Sequence, residues 1–223
     1  MKMIVRIKKG GIKKSPIKKI FHGNYQITYS CICEDKYPKF EEFNHLSLYP
    51  QTTHGCYGNK FYKLEDMLSV KCSSPEYPYK IICDVCKERI TKTITISELP
   101  PVLILKIDRL SYDCTKIIDK VKFPLKLDMN EFVPGSDKDK DKIAKYSLYA
   151  ICDHIGKYIK IGHYEAMCKN VNGDVWYRFN DQICNEIKKG PNVNSDEACL
   201  LFHSNSERSD YKDKILNPTN LQL

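Results

Sequence analysis

The sequence lacks the features that would place it at a membrane, outside the cell or on a nucleic acid. No stretch approaches the roughly 18 apolar residues a membrane-spanning helix needs, which argues against a membrane partner. The N-terminus, MKMIVRIKKGGIKKSPIKKIF, is basic but has no continuous apolar run of the kind a secretory signal carries. No internal repeat is visible, and no helix-turn-helix pattern or aromatic-rich basic repeat supports a nucleic-acid partner. Cysteine, by contrast, is abundant, with eleven in 223 residues. In a chain without an export signal they point to a reducing compartment, cytoplasmic or nuclear. There thiols act as metal ligands, nucleophiles or core fillers.

Hydrophobic residues make up 42% and charged residues 29%, the balance of a soluble globular chain. The length suits one substantial core or two small domains sharing an interface. The formal charge of +8 is partly local, since eight of the first 20 residues are Lys or Arg. Residues 1–14 therefore read as a basic arm, a solvated edge in which Ile4, Val5 and Ile7 could form a short strand.

Strand signals dominate the rest. NYQITYSCIC (24–33), FNHLSLYP (43–50), RITKTITISELP (89–100), PVLILKIDRLSY (101–112), KVKFPLKLDM (120–129), YSLYAICDHIG (146–156) and EACLLFH (197–203) alternate or are rich in β-branched and aromatic residues. FYKLEDMLSV (61–70) instead puts Phe61, Leu64, Met67 and Leu68 on one helical face. GSDKDKDKIAK (135–145) reads as a charged loop, and residues 204–223 as a polar, disordered tail. The fold class expected is α+β and β-rich.

KIGHYEAMCKNVNGDVWYRFNDQI (160–183) is the most informative stretch. Asn172-Gly173 is a strong hairpin signal, because both residue types tolerate positive φ. With those two in the turn, Val171 faces Asp174 and His163 falls opposite Gln182. Asn180 is then the diagonal neighbour of His163 on the same sheet face. Such neighbours lie about 7–8 Å apart at the backbone, within reach of an imidazole and an amide. Asp181 would point to the other face, beside Tyr164. A slip of one residue would exchange Asn180 and Asp181, so the register carries the assignment. Taken alone, His163 would be an ordinary strand residue.

Its neighbours say otherwise. Gly162-His163-Tyr164 and Trp176-Tyr177-Arg178-Phe179-Asn180-Asp181 resemble the His box of the ubiquitin-specific proteases, the papain-like cysteine deubiquitinases. YSLYAICDHIG resembles the strand before that box, with His154 and Gly156 at the family's His-x-Gly. LPPVLILKIDRL is similar to its Leu-Pro-x-Val-Leu strand, with Lys106 and Asp108 in place of the usual His and Lys. KVKFPLKLDM and EACLLFH resemble two further family segments, and SPIKKIFHGNYQ and FEEFNHLSL resemble the entry to the fingers subdomain. The matches run in order from about Ser15 to Phe202. The resemblance implies a papain-like palm sheet (about 101–203) with zinc-ribbon-like fingers (about 20–100) within a partial domain of residues 15–203, the thumb lobe missing.

It also implies site residues. His163 would be the general base, Asn180 its orienting partner and Asp181 a second polar support. Gly162 and Tyr164 would line the channel for ubiquitin's C-terminal tail, under a flap GKYIKIG (156–162) with a glycine at each end. Cys83-Asp-Val-Cys86 has the spacing of a zinc knuckle. Cys31-Ile-Cys33 stands where the family has its first cysteine pair. Four thiolates would make a closed structural zinc site. The one-residue spacer is a departure, accommodated if an extended segment turns both thiols one way. Core thiols, or a site that has decayed, are the alternatives, and Cys72 and His22 are the substitute ligands should Cys31 or Cys33 fail.

The nucleophile is the gap. The family's catalytic Cys lies in a Gly-x-Thr-Cys-Tyr-like box upstream of the fingers, and no cysteine precedes Ser15 here. Gly55-Cys56-Tyr57 has the flavour of that box but falls between the two cysteine pairs. The chain thus reads as the fingers and palm of a cysteine deubiquitinase whose thumb lies upstream or on a second chain. The other readings are an inactive ubiquitin-binding relative and a zinc-ribbon interaction module.

Overall fold

The computed structural model describes residues 15–50, 61–73, 82–88, 90–111, 114–133, 144–170 and 173–205, with only the backbone of residues 34–37. The basic arm, Cys56, most of the charged loop and the tail beyond Asn205 lie outside these residues. So do Val171 and Asn172 of the expected turn.

A short helix, α1 (Pro16–Phe21), opens the described chain, with proline in its first turn. There the missing N–H costs nothing and the fixed φ is already helical. Three strands follow as one sheet: β1 (Gly23–Cys31), β2 (Glu34–Phe43) and β5 (Thr91–Glu98), in the order β2-β1-β5. All its pairings are antiparallel. The sheet buries little. Ile27, Phe43 and Ile96 are its covered hydrophobics, and Tyr25 stacks on Phe43 with ring centroids 4.5 Å apart. Such a long, thin sheet cannot stabilise its own tip by apolar burial.

β2 was not legible as a strand. Its segment, EDKYPKFEEF, is acidic, basic and interrupted by Pro38, yet it pairs with β1 from Gly23↔Phe43 to Cys31↔Glu34. It lies at the sheet edge, where charged residues and a proline are tolerated because one row of backbone groups faces solvent.

The larger sheet holds β3 (Leu46–Leu48), β6 (Val102–Ile107), β8 (Lys126–Asp128), β9 (Lys145–Tyr158), β10 (Ile161–Lys169), β11 (Trp176–Asn180), β12 (Ile183–Ile187) and β14 (Ala198–Asn205). Its order is β12-β11-β10-β9-β14-β6-β3, with β8 also on β9. Only the β3–β6 pairing is parallel among its described ladders. β14 extends through Ser204 and Asn205, two residues past the expected end of the domain.

β6 shows how the sequence builds the core. Leu103, Leu105 and Ile107 alternate onto one face and are buried, while Ile104 and Lys106 take the other. Helix α2 (Leu64–Ser73) covers the buried face, together with a 3-10 turn at Asn130–Phe132. Leu64, Met67 and Leu68 of α2 are buried as their spacing requires, but Phe61 is not part of that helix. It lies in a short strand, β4 (Phe61–Lys63), 54% exposed. β4, β7 (Lys120–Lys122) and β13 (Asn194–Ser195) form a third small sheet.

Arg109 ties the loops together. Its buried guanidinium donates to four backbone carbonyls: Ala198 at 2.8 Å, Ile117 at 3.1 Å, Asp119 at 2.9 Å and Ser195 at 3.0 Å. Burial lowers its pKa, and those carbonyls replace the lost water. The segment leading into β14 is thereby fixed against the loop after β6.

Candidate active site and metal centre

At the tip of the three-stranded sheet, Cys31, Cys33, Cys83 and Cys86 converge, every ligand atom within 4.8 Å of the others. Cys31–Cys33, Cys31–Cys86 and Cys33–Cys83 have sulfur separations of 3.5, 3.0 and 3.4 Å. A disulfide would require about 2.05 Å. Tetrahedral Zn–S bonds of about 2.3 Å place sulfurs roughly 3.8 Å apart, close to this arrangement. The cluster could hold a metal ion.

The single spacer between Cys31 and Cys33 has a different explanation from the extended segment expected. Cys31 ends β1, and Ile32 and Cys33 form the turn to β2, with Ile32 91% exposed. The tight reversal itself brings the two thiols to one side. On the other arm, the Cys83 N–H donates to the Glu88 carbonyl, and the Cys83 carbonyl accepts from the N–H of Lys87, whose φ is +61°. Backbone N–H groups of Cys86 and then Val85 aim at the Cys83 sulfur and bring its pKa down to about 7, while hydrogen bonds to neighbouring thiols push Cys33 and Cys86 up, so in this cluster the first proton leaves Cys83. Thiolate is the form a metal requires. Neither Cys72, on α2, nor His22, 3.5 Å from Glu42, belongs to the cluster.

The His hairpin keeps the register read from Asn172-Gly173. β10 and β11 pair from Ala166↔Phe179 to Lys169↔Trp176, and the Asn170 N–H reaches the Val175 carbonyl at 2.8 Å. Continued toward the open end, this register puts Asn180 opposite Glu165 and diagonal to His163. The side chains meet accordingly: His163 Nε2 lies 2.8 Å from Asn180 Oδ1. Both residues are half-buried. Asp181 is not on the far face of the strand. It opens the two-residue turn from β11 to β12, φ +50°, with its side chain exposed.

Glu165 is the residue sequence reading missed. Asn180 Nδ2 donates to its Oε1 at 2.5 Å, and Arg178 Nη1 lies 3.7 Å from its Oε2. The signal was available, since the same register that aligned His163 with Asn180 puts Glu165 directly across from it.

Next to the dyad, β9 and β10 approach closely at their connecting turn. A Cβ on Gly156 would lie 2.8 Å from the Ile161 carbonyl, and its φ of +153° is unfavourable for other residues. A Cβ on Gly162 would collide with the His154 ring and come within 2.7 Å of the Ile155 carbonyl. Lys116 clamps the same turn, its ammonium donating to the carbonyls of His154 at 2.5 Å and Gly156 at 2.8 Å. Burial, then the Lys116 charge, holds the His154 imidazole below the ordinary histidine range. Tyr164 stacks on that ring at 4.9 Å between centroids and is itself 61% exposed. Lys106 and Asp108 pair with each other at 3.0 Å.

Behind the dyad, Asp153 stands opposite Glu165 in the β9–β10 ladder. It is buried, and its Oδ1 has no hydrogen-bond partner among the described residues. Burial first, then Glu197, push its pKa up to about 6, with Glu165 adding and Arg178 and Arg109 opposing.

These features have counterparts in known proteins. A family model described as ubiquitin carboxyl-terminal hydrolase matches residues 6–203. Ubiquitin carboxyl-terminal hydrolase 21 of Mus musculus is 32% identical over 198 residues, covering 85% of this chain and 33% of its own length. Ubiquitin carboxyl-terminal hydrolase 2 of Gallus gallus is 36% identical over 130 residues, covering 56% of this chain and 35% of its own. Among solved structures, the SAGA Ubp8/Sgf11/Sus1/Sgf73 DUB module bound to ubiquitin aldehyde matches with a TM-score of 0.67 at 25% identity. That match covers 86% of this chain and 42% of the other. The chain thus spans about a third of the length of the mouse relative. With the palm sheet and the cysteine-tipped fingers both in place, the chain belongs to the ubiquitin carboxyl-terminal hydrolase family, as a member of its ubiquitin-specific protease class.

Proposed function

We propose that the chain supplies the fingers and palm of a thiol-dependent deubiquitinase, in which His163 and Asn180 are the acid–base half of the catalytic site. The observation that carries this reading is the 2.8 Å contact between His163 Nε2 and Asn180 Oδ1 on adjacent strands. An amide oxygen accepts, so Nε2 holds the proton and Nδ1 is left as the base. In the complete enzyme a cysteine thiolate attacks the carbonyl of ubiquitin's C-terminal glycine, forming a thioester as the isopeptide bond breaks, and water then hydrolyses the thioester to free ubiquitin and the thiol. His163 removes the thiol proton and returns it to the departing lysine amine. Asp181, one residue past Asn180, is a second polar support, and Gly162 and Tyr164 line the tail channel.

The four cysteines hold a structural zinc that staples the fingers. The nucleophile comes from a thumb segment outside this sequence or from a second chain. Cys56, between the cysteine pairs, does not take that role.

The test is hydrolysis of a ubiquitin–rhodamine conjugate. The chain alone is expected to give no turnover. Joined to a segment bearing a Gly-x-x-Cys-Tyr-type box, it is expected to give turnover that falls about 10⁴–10⁶-fold in His163→Ala, the scale on which loss of a triad member acts. Turnover by the chain alone that disappears in Cys56→Ala would contradict the assignment, as would an assembled enzyme indifferent to His163.

A further inference from the structure

The Asn180 amide has two ends of nearly equal size and opposite polarity, and only one orientation suits a catalytic base. With Oδ1 toward the imidazole, the ring nitrogen facing it must carry hydrogen. Flipped, the amide would offer an N–H, and the proton would move to Nδ1. What decides between these orientations lies on the other side of the amide. Glu165 is two residues after His163, on the same face of β10, and opposite Asn180 by the hairpin register. Its side chain is only 11% exposed. A carboxylate has lone pairs and no hydrogen, so it can face Nδ2 but not Oδ1. The 2.5 Å contact from Asn180 Nδ2 to Glu165 Oε1 and the 2.8 Å contact from Oδ1 to His163 Nε2 therefore form one chain with a fixed sense. Arg178 at 3.7 Å holds the far carboxylate oxygen of Glu165 in place.

We propose that Glu165 is a positioning residue: it fixes the Asn180 amide so that His163 keeps its proton on Nε2 and presents Nδ1 as the base. The proposal rests on the reading of His163 as that base, and goes beyond it in naming the group that sets its tautomer. Glu165 touches neither His163 nor a substrate in this scheme; it acts through Asn180.

The experiment is long-range ¹H–¹⁵N correlation of the histidine rings in the ¹⁵N-labelled chain, with His163 assigned by His163→Gln. At a pH where the ring is neutral, the wild-type chain is expected to show the Nε2–H tautomer. Glu165→Leu removes the acceptor and is expected to lower that preference about tenfold, giving a mixed tautomer signature. Glu165→Gln retains an acceptor oxygen for Nδ2 and is expected to restore the wild-type tautomer, which separates the hydrogen bond from the charge. Glu165→Ala is read in the same way as Glu165→Leu should the larger side chain unfold the strand. An unchanged Nε2–H tautomer in either apolar variant, in a chain with a dispersed amide spectrum, overturns the role of Glu165. So does a Glu165→Gln chain with the mixed signature. An Nδ1–H tautomer in the wild-type chain would instead contradict the dyad itself, so the two failures are told apart.

Discussion

Gly162 lies against the imidazole of His154: a single methyl added to it would overlap the ring and crowd the Ile155 carbonyl at 2.7 Å. The β9–β10 turn beside His163 and Asn180 therefore depends on a missing side chain. Gly162→Ala should destabilise the fold by roughly 1–3 kcal/mol, the usual cost of overpacking a filled site. Chemical denaturation checks this, and an Ala variant as stable as wild type would contradict the close approach.

A second prediction concerns Asp153, whose pKa rises from 3.8 to about 6 in the fold. Below about pH 4 it is protonated in both folded and unfolded chains and contributes nothing. Between about pH 4 and 6 the unfolded chain ionises first, so this group's contribution turns unfavourable as pH rises. Above about pH 6 the full penalty is present, about 3 kcal/mol for a shift of some two units. Asp153→Asn should therefore stabilise the chain by about 1–3 kcal/mol at pH 7.5, the gain shrinking toward zero near pH 4. Urea titrations of both proteins at several pH values measure it. A destabilised Asn variant at neutral pH would refute the assignment.

The metal centre gives a third. Purified chain should carry about one zinc, as expected of a closed four-thiolate site. Cys83→Ser should release it and unfold the cysteine-bearing tip of the three-stranded sheet while leaving the core around β6 and β9 folded, since Phe43 of β2 and Ile96 of β5 belong to that core and the four cysteines do not. Elemental analysis paired with amide exchange reads both effects. Folded chain without bound zinc would contradict the account.

How much of this the sequence foretold depended on local signals. The Asn172-Gly173 pair in the sequence predicts the register that β10 and β11 have, and with it the meeting of His163 and Asn180, because strand side chains alternate strictly. The buried faces of β6 and α2 followed from apolar spacing in the same way. Strand β2 escaped notice because an edge position relaxes the composition a strand needs, Pro38 included. Phe61 kept the helical period of α2 but stands before its start, in a strand. Asp181 was assigned to a strand face, yet its φ of +50° belongs to a turn that no Gly or Asn-Gly pair announced. The pairing of Cys31 with Cys33 across a reversal needed the β1–β2 hairpin, whose second strand was the unrecognised one.

The most direct test of the central claim is a titration of ¹⁵N-labelled ubiquitin with this chain, followed by NMR. Fingers and palm alone should bind weakly, on the order of 10–1000 μM, equivalent to about −7 to −4 kcal/mol. The largest shifts are expected in ubiquitin's C-terminal tail. Gly162→Val should weaken binding of full-length ubiquitin more than of ubiquitin lacking its last residues, because the added side chain crowds the β9–β10 turn that the proposed function sets against the tail. That pattern would place the tail beside His163. No shift at millimolar chain, with the chain itself proven folded, would contradict the claim that this site receives ubiquitin.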